Sequence, residues 1–181
     1  YLNIRKSKAF FFPYEKIRLE IKRINLNDSP APGKGIYEVY RISSTYVPEL
    51  SEKYNWHWRR VPPLEIQLKD IPNAEKIVYG QLIHNEEGIA KIEISALPEG
   101  TYRFVEKTMD KWGEEVKQSC LIIVAGKKKK IPIFAPSVTL VERNEYVVGD
   151  TARLIIGSAK CLGIYHVEIW AGKSLISHRL I

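Results

Sequence analysis

The feature of this sequence that most restricts its fold is a strict alternation of apolar and charged residues. Between residues 16 and 22, the apolar side chains of Ile17, Leu19 and Ile21 alternate with charged ones, and the same period returns in residues 89–95. Successive side chains of a β-strand point to opposite faces of the sheet, so such a segment has one buried and one solvated face. The pattern therefore predicts antiparallel sheets that each turn one face to water.

Turn signals separate these segments about every 8 to 12 residues, a spacing typical of β-sandwiches. The turn signals lie at residues 27–33, 84–88, 97–100 and 109–113. One predicted strand of about nine residues contains Ile17, Leu19 and Ile21. Others lie at residues 35–42, 76–83, 89–95, 101–108 and 116–125, with a further short strand at 64–68. No segment has the period of a helix. The sequence thus predicts an all-β, antiparallel immunoglobulin/fibronectin type III-like β-sandwich, followed by part of a second such sandwich.

One turn carries a more specific signal. Leu97, Gly100 and Tyr102 have the spacing of the tyrosine corner found in immunoglobulin-like sandwiches. In that motif the ring packs in the core and the hydroxyl group bonds the backbone just upstream. The alternative is an ordinary core tyrosine that follows a turn.

A run of four lysines at residues 127–130, followed by Pro132 and Pro136, indicates a boundary. We therefore expect a complete sandwich at residues 1–126, with a long Pro-rich insert at about 43–73. A linker would cover residues 127–136, and a partial second sandwich would cover residues 137–181.

The second part repeats the opening of the first. Residues 11–21 can be aligned with residues 146–156: both have an aromatic residue, a turn position, an acidic residue and then alternating apolar residues. Gly149 can adopt positive φ at the turn, whereas Tyr14 could do so only with strain. Residues 138–181 hold about three or four strands, too few to close a core. We expect the second sandwich to be incomplete and its apolar faces to drive self-association through residues 138–181.

Composition gives no sign of a nucleic-acid partner. The formal net charge is +7, but most of the lysines and arginines alternate with glutamates along the predicted strands. Such alternation is typical of the solvated face of a strand, and no nucleic-acid-binding motif is present.

No chemistry-bearing motif is found either, so we expect no catalytic, cofactor-binding or metal residues and no enzyme activity. The four histidines have no metal-ligand spacing, and both a nucleophile elbow and a phosphate-binding loop are absent. We expect structural roles for the histidines, including His84 at its turn. Cys120 and Cys161 lie in apolar surroundings and are expected to be free, buried thiols; a disulfide between them is the alternative.

One segment of the insert could contact a partner. Aromatic and cationic side chains interleave at Tyr54, Trp56, Trp58, Arg59 and Arg60. They could stack on a sugar or on an extended strand, as in a tandem immunoglobulin-like adhesin or a carbohydrate-contacting module. Alternatively, the two tryptophans cover part of the sandwich while the arginines stay in water.

Tyr146, Gly149 and Asp150, with the alternating apolar residues after them, resemble the opening of the macroglobulin-like domains of the α2-macroglobulin family, bacterial type. Later parts of such a domain are similar to residues 88–90, 100–102 and 110–113. Tyr14 departs from the expected glycine, and the Pro-rich insert matches no motif of the family.

The resemblance implies an internal structural module of a large protease-trapping protein. The location would be extracytoplasmic, in the bacterial periplasm or cell envelope, or secreted. Its partners would be neighbouring domains of the same protein, with proteases as the targets of the whole protein. The Cys-Gly-Glu-Gln thioester motif of many members is absent, because Leu121 follows Cys120 and Leu162 follows Cys161. The resemblance therefore transfers no catalytic or binding residue.

Overall fold

The structure, a computed structural model, describes residues 1–42, 64–126, 133, 138–157 and 164–181. These residues form strands and a single helical turn. The elements are β1 (Leu2–Lys6), β2 (Ile17–Arg23), β3 (Gly33–Ile42), α1 (Leu64–Gln67), β4 (Asn73–His84), β5 (Ile89–Ile94), β6 (Gly100–Met109), β7 (Glu115–Val124), β8 (Val138–Val141), β9 (Leu154–Gly157), β10 (His166–Ala171) and β11 (Ser174–Leu180). The predicted all-β class is confirmed.

The first seven strands form two antiparallel sheets. One sheet has the order β1-β2-β5 and the other has the order β4-β3-β6-β7. Alternation of the chain between the two sheets is what makes the arrangement a sandwich rather than a meander.

A core of alternating side chains lies between these sheets. Ile17, Leu19 and Ile21 are fully buried on the inner face of β2, as the alternation predicts. They pack in one cluster with inward residues of the opposite sheet, including Tyr102 and Phe104 of β6. The charged residues between them stay on the outer face, so the pattern selects the register as well as the fold.

Two details of the strand prediction were wrong. Residues 64–67 form the helical turn α1 instead of the strand predicted at 64–68, and the N–H of Leu68 donates to the carbonyl of Leu64 at 3.0 Å. Helical spacing brings these two leucines onto one face, and both pack in the same apolar cluster. The repeat also predicts an edge strand that ends on Phe11, but β1 ends at Lys6 and Phe11 forms only an isolated bridge.

The later residues form two separate hairpin-like pairs, β8 with β9 and β10 with β11. The second pair has a bulge between Ile169 and Trp170. Among the residues described, no helix is long and apolar enough to cross a membrane.

Candidate functional site at the junction of the two parts

The end of β7 is buried on both of its faces. Ile122 and Val124 point into the sandwich core, whereas Leu121 and Ile123 point to the opposite side. A strand covered on both faces reads as a continuous apolar run, as residues 121–125 do. Something must therefore cover the outer face of the four-stranded sheet at this end.

That cover comes from α1, from the β8–β9 pair, and from Phe10 and Phe12 in the segment between β1 and β2. A second apolar cluster, which we call the junction cluster, joins the outer face of β7 to α1 and to the β8–β9 pair. Its buried members are Phe10, Ile42, Leu68, Ile71, Leu121, Ile123, Ala125, Ile133 and Val138, with Phe12, Leu64, Leu140 and Ile155 packed against them. The β8–β9 pair thus shares a core with the first sandwich.

The segment between β1 and β2 closes the edge of β7 beside this cluster. Phe11 forms a parallel bridge with Val124. Its N–H donates to the carbonyl of Ile123 at 2.9 Å, and its own carbonyl accepts from the N–H of Ala125 at 2.9 Å. The segment between β1 and β2 is therefore hydrogen-bonded beside the end of β7.

A buried carboxylate lies at the same junction. The Glu142 side chain is 2% exposed, with Oε1 2.8 Å from Nζ of Lys8 and Oε2 3.1 Å from Nη1 of Arg153. The hydrogen bond from Lys8, and then that from Arg153, lowers the pKa of Glu142 although burial raises it. The Ala9 N–H also donates to the Glu142 carbonyl at 2.8 Å. The junction is therefore held by charge and backbone as well as by apolar contact.

The repeat seen in the sequence has a structural counterpart in strand register. The alignment of residues 11–21 with 146–156 carries Ile4 and Ile21, which are partners in β1 and β2, onto Thr139 and Ile156. Those two residues are partners in β8 and β9. The two hairpins therefore share one register, and the repeat is confirmed for this element.

The turn before each second strand is also built alike. The carboxylate of Glu15 accepts from the Phe12 N–H at 3.0 Å, and that of Asp150 accepts from the Val147 N–H at 3.2 Å. In return, the N–H of each acidic residue donates to the carbonyl of that same partner at 3.0 Å. Each acidic residue is thus the cap of its own turn.

A basic residue precedes both turns at the same aligned position. Lys8 Nζ is 2.9 Å from Glu15, and Arg143 Nη2 is 3.2 Å from Asp150. The backbones differ at the position between aromatic and acid: Gly149 has φ of 98°, whereas Tyr14 is not among the residues with positive φ. The bonds of the acidic and basic side chains are therefore present in both turns, although the first has Tyr14 where the second has glycine.

The tyrosine corner is confirmed. Tyr102 lies near the start of β6 with its side chain 1% exposed, and its hydroxyl group donates to the Pro98 carbonyl at 2.8 Å. This is the packing and the upstream backbone bond that define the motif. It fixes the connection between β5 and β6, which belong to opposite sheets.

A buried ionisable pair in the sandwich interior was not predicted. His84 is the last residue of β4, and its Nε2 lies 3.1 Å from Oε1 of Glu106, with both side chains fully buried. The alternation in β6 could have indicated it: Tyr102 and Phe104 face the core, so Glu106, two residues further on, lies on the same inward face. The partner was missed because the two residues are far apart in sequence.

A second carboxylate lies on the outer face of the four-stranded sheet. Glu38 accepts hydrogen bonds from Lys76 of β4 and from the Tyr40 hydroxyl group at 2.8 Å, and it lies 3.0 Å from Nζ of Lys107. Hydrogen bonds from Lys76, Lys107 and Tyr40 lower its pKa to about 2. The cluster ties β4 and β6 across β3.

The predicted contact residues Tyr54, Trp56, Trp58, Arg59 and Arg60 lie outside the described residues, as does Cys161. Cys120 is a free thiol, and burial raises its pKa to about 11. In the described part of the chain, no group of three or more His, Cys, Asp and Glu side chains could hold a metal ion.

Taken together, the described residues define an all-β protein of the antiparallel sandwich class. No protein-family model matches the sequence, and no curated protein is significantly similar to it.

Three solved structures show low similarity. One is the structure of Escherichia coli alpha-2-macroglobulin activated by porcine elastase, which is 15% identical in sequence with a TM-score of 0.42. The match covers 77% of this chain and 13% of that one. A second is the native conformation of the same E. coli protein, which is 9% identical in sequence with a TM-score of 0.44. That match covers 100% of this chain and 14% of the E. coli chain. MtrC from Shewanella baltica OS185 is 11% identical with a TM-score of 0.36, over 77% of this chain and 24% of that one. Similarity at this level does not define a family.

Proposed function

We propose that the chain is a structural module of an α2-macroglobulin-like protease-trapping protein and has no catalytic activity of its own. The observation that carries this proposal is the repeated opening hairpin, with the same register and the same capped turn in both parts. A hairpin repeated along the chain is what we expect of a scaffold built from similar modules. The residues that open the second part are also those that resemble the macroglobulin-like domains.

The junction supports a scaffold role because it fixes how one part is attached to the next. Glu142 and Ala9 join the parts through a backbone bond, and Lys8 adds a buried ion pair. A shared apolar cluster restricts motion further than a linker alone would, since interfaces that are large and hydrophobic limit domain movement. In a trap, such junctions would transmit a rearrangement from module to module.

The remaining expectations form part of the same proposal. Residues 1–126 are the complete sandwich, 127–136 the linker and 137–181 the beginning of a second sandwich. The protein acts outside the cytoplasm, with neighbouring domains as its contacts and proteases as its targets. Self-association through residues 138–181 is supported by the exposed apolar side chains of β10 and β11, among them Trp170, Leu175 and Leu180.

The test is protease inhibition by the complete parent protein with and without Glu142→Lys. This substitution places a third cation between Lys8 and Arg153, so it should weaken inhibition of a protease acting on a protein substrate. Glu93→Lys, on the outer face of β5, is the matched control and should leave inhibition unchanged.

A wild-type parent protein that inhibits no protease would overturn the proposal. Glycan binding that is lost on Trp56→Ala and Trp58→Ala would favour the adhesin alternative instead.

A further inference from the structure

The segment between β1 and β2 holds the second part at three positions, which we call the first docking surface: Lys8, Ala9 and Phe12. Nζ of Lys8 lies 2.8 Å from Oε1 of Glu142, and the N–H of Ala9 donates to the Glu142 carbonyl at 2.8 Å. The guanidinium carbon of Arg153 lies 5.8 Å from the centre of the Phe12 ring. A cation, a backbone donor and an apolar side chain are thus all occupied by the chain between β8 and β9.

The repeat carries these three positions into the second part. The alignment of residues 11–21 with 146–156, extended toward the N-terminus, places Arg143, Asn144 and Val147 at the three positions in that order. The two hairpins share one register and one capped turn. The three positions therefore have the same place relative to their hairpin, and we call them the second docking surface.

The positions of the second docking surface are open where those of the first are filled. Arg143 lies 3.2 Å from Asp150, but unlike Lys8 it contacts no second carboxylate among the described residues. The Asn144 N–H donates to no residue in the described part of the chain. The Val147 side chain is 73% exposed. Each of the three groups is thus left as its counterpart would be if the β8–β9 pair were removed.

We propose that the second docking surface receives a further β-sandwich module, in the way that the first receives the β8–β9 pair. This inference rests on the proposed scaffold role. The partner is defined by the group that fills the first surface, which is a carboxylate directly after a strand, as Glu142 follows β8. Its side chain binds Arg143, and its backbone carbonyl accepts from the Asn144 N–H.

The geometry of Arg143 favours a carboxylate as the partner group. Its guanidinium is held by Asp150 and by the ring of Tyr146, whose centre is 4.7 Å away. A guanidinium has five N–H donors, so a second carboxylate can bind beside the first. Lys8 shows the same arrangement, with its ammonium between two carboxylates.

A second copy of this chain does not offer the required group. Its Glu142 is already buried, bonded to its own Lys8 and Arg153, so it is not free to bind another surface. The partner is therefore another module with a free carboxylate at the position of Glu142.

The test uses a water-soluble carbodiimide, which joins an amine to a carboxylate in contact with it, in the complete parent protein and in the isolated chain. Arg143→Lys gives the second docking surface the amine that the first already has in Lys8. Mass spectrometry of peptides then identifies the carboxylate joined at each position. The cross-link between Lys8 and Glu142 is the internal control, and it also reports that the variant is folded.

In the isolated chain, the lysine introduced at position 143 should join only to Asp150. In the parent protein it should also join to a carboxylate outside residues 1–181. Hydrogen exchange of the wild-type proteins is a second measurement that needs no substitution. The Asn144 amide should exchange at least about tenfold more slowly in the parent protein than in the isolated chain, whereas the Ala9 amide should be protected equally in both.

The inference is wrong if, in the parent protein, the introduced lysine joins only to Asp150 while Lys8 joins to Glu142. Equal exchange of the Asn144 amide in the two proteins would also overturn it, as would a cross-link from position 143 to a second copy of the isolated chain. Protease inhibition is not part of either readout. The proposed function can therefore fail without changing the cross-links or the exchange rates.

Discussion

Nζ of Lys8, between β1 and β2, lies 2.8 Å from Oε1 of Glu142, which directly follows β8. The pair crosses from the first sandwich to the second part. This ion pair lies beside the apolar junction cluster. Because a single substitution removes it, the attachment of the two parts can be tested by mutation.

Glu142→Ala should reduce the free energy of unfolding by about 1 to 3 kcal/mol, since it leaves Lys8 and Arg153 without their shared acceptor. Glu93→Ala removes an exposed carboxylate that also bonds two cations, and it should cost clearly less than Glu142→Ala, because solvent screens an exposed ion pair. Denaturant unfolding of the full chain measures both. Equal effects would show that burial of Glu142 adds nothing.

Stability should fall in acid. The pKa of Glu38 is about 2 and that of Glu142 is also lowered, whereas an ordinary glutamate has a pKa of 4.5. A lowered pKa means that the folded state favours the carboxylate, so this stabilisation is complete above pH 4.5. It is lost progressively as the pH falls toward 2. Thermal melts between pH 7 and pH 2 should show this decline, with a shallower slope for Glu38→Gln; an unchanged slope would contradict the assignment.

Tyr102→Ala should destabilise the first sandwich by about 3 to 5 kcal/mol, the usual cost of removing a buried aromatic ring. Tyr102→Phe removes only the hydrogen bond to Pro98 and should cost about 0.5 to 1.5 kcal/mol. Denaturant melts separate the two contributions. A harmless Tyr102→Ala would mean that the corner does not anchor β6.

The buried pair of His84 and Glu106 should show strong coupling. Glu106→Leu alone leaves the polar side chain of His84 buried without a polar neighbour and should cost about 1 to 3 kcal/mol, whereas the double change to leucine should cost less. A double-mutant cycle on unfolding free energies measures the difference. Additive effects would show that the two side chains do not stabilise each other.

The fold could be predicted because its information is local. Ile17, Leu19 and Ile21 mark one strand by their spacing alone, and Gly149 and Asp150 mark a turn within a few residues. The tyrosine corner is similarly short. Sequence patterns over such distances carry both the element and the face that it buries.

The contacts that join the parts could not be predicted, since they depend on residues far apart in the chain. Nothing near Lys8 indicates Glu142, and nothing near His84 indicates Glu106. α1 was mistaken for a strand because four residues are too few to show a helical period. Leu64 and Leu68 are positioned by the apolar surface of β7 rather than by local helix propensity.

The parallel bridge between Phe11 and Val124 determines how the first sandwich responds to mechanical load. Tension applied at Gly126 and on the N-terminal side of Phe11 pulls the two segments in opposite directions along a common axis. The hydrogen bonds to Ile123 and from Ala125 are then loaded together in shear instead of opening one after the other. Rupture under force is governed by the unfolding rate, which such simultaneous loading slows. These two bonds thus add resistance to stretching at the place where the first sandwich is attached to its neighbour.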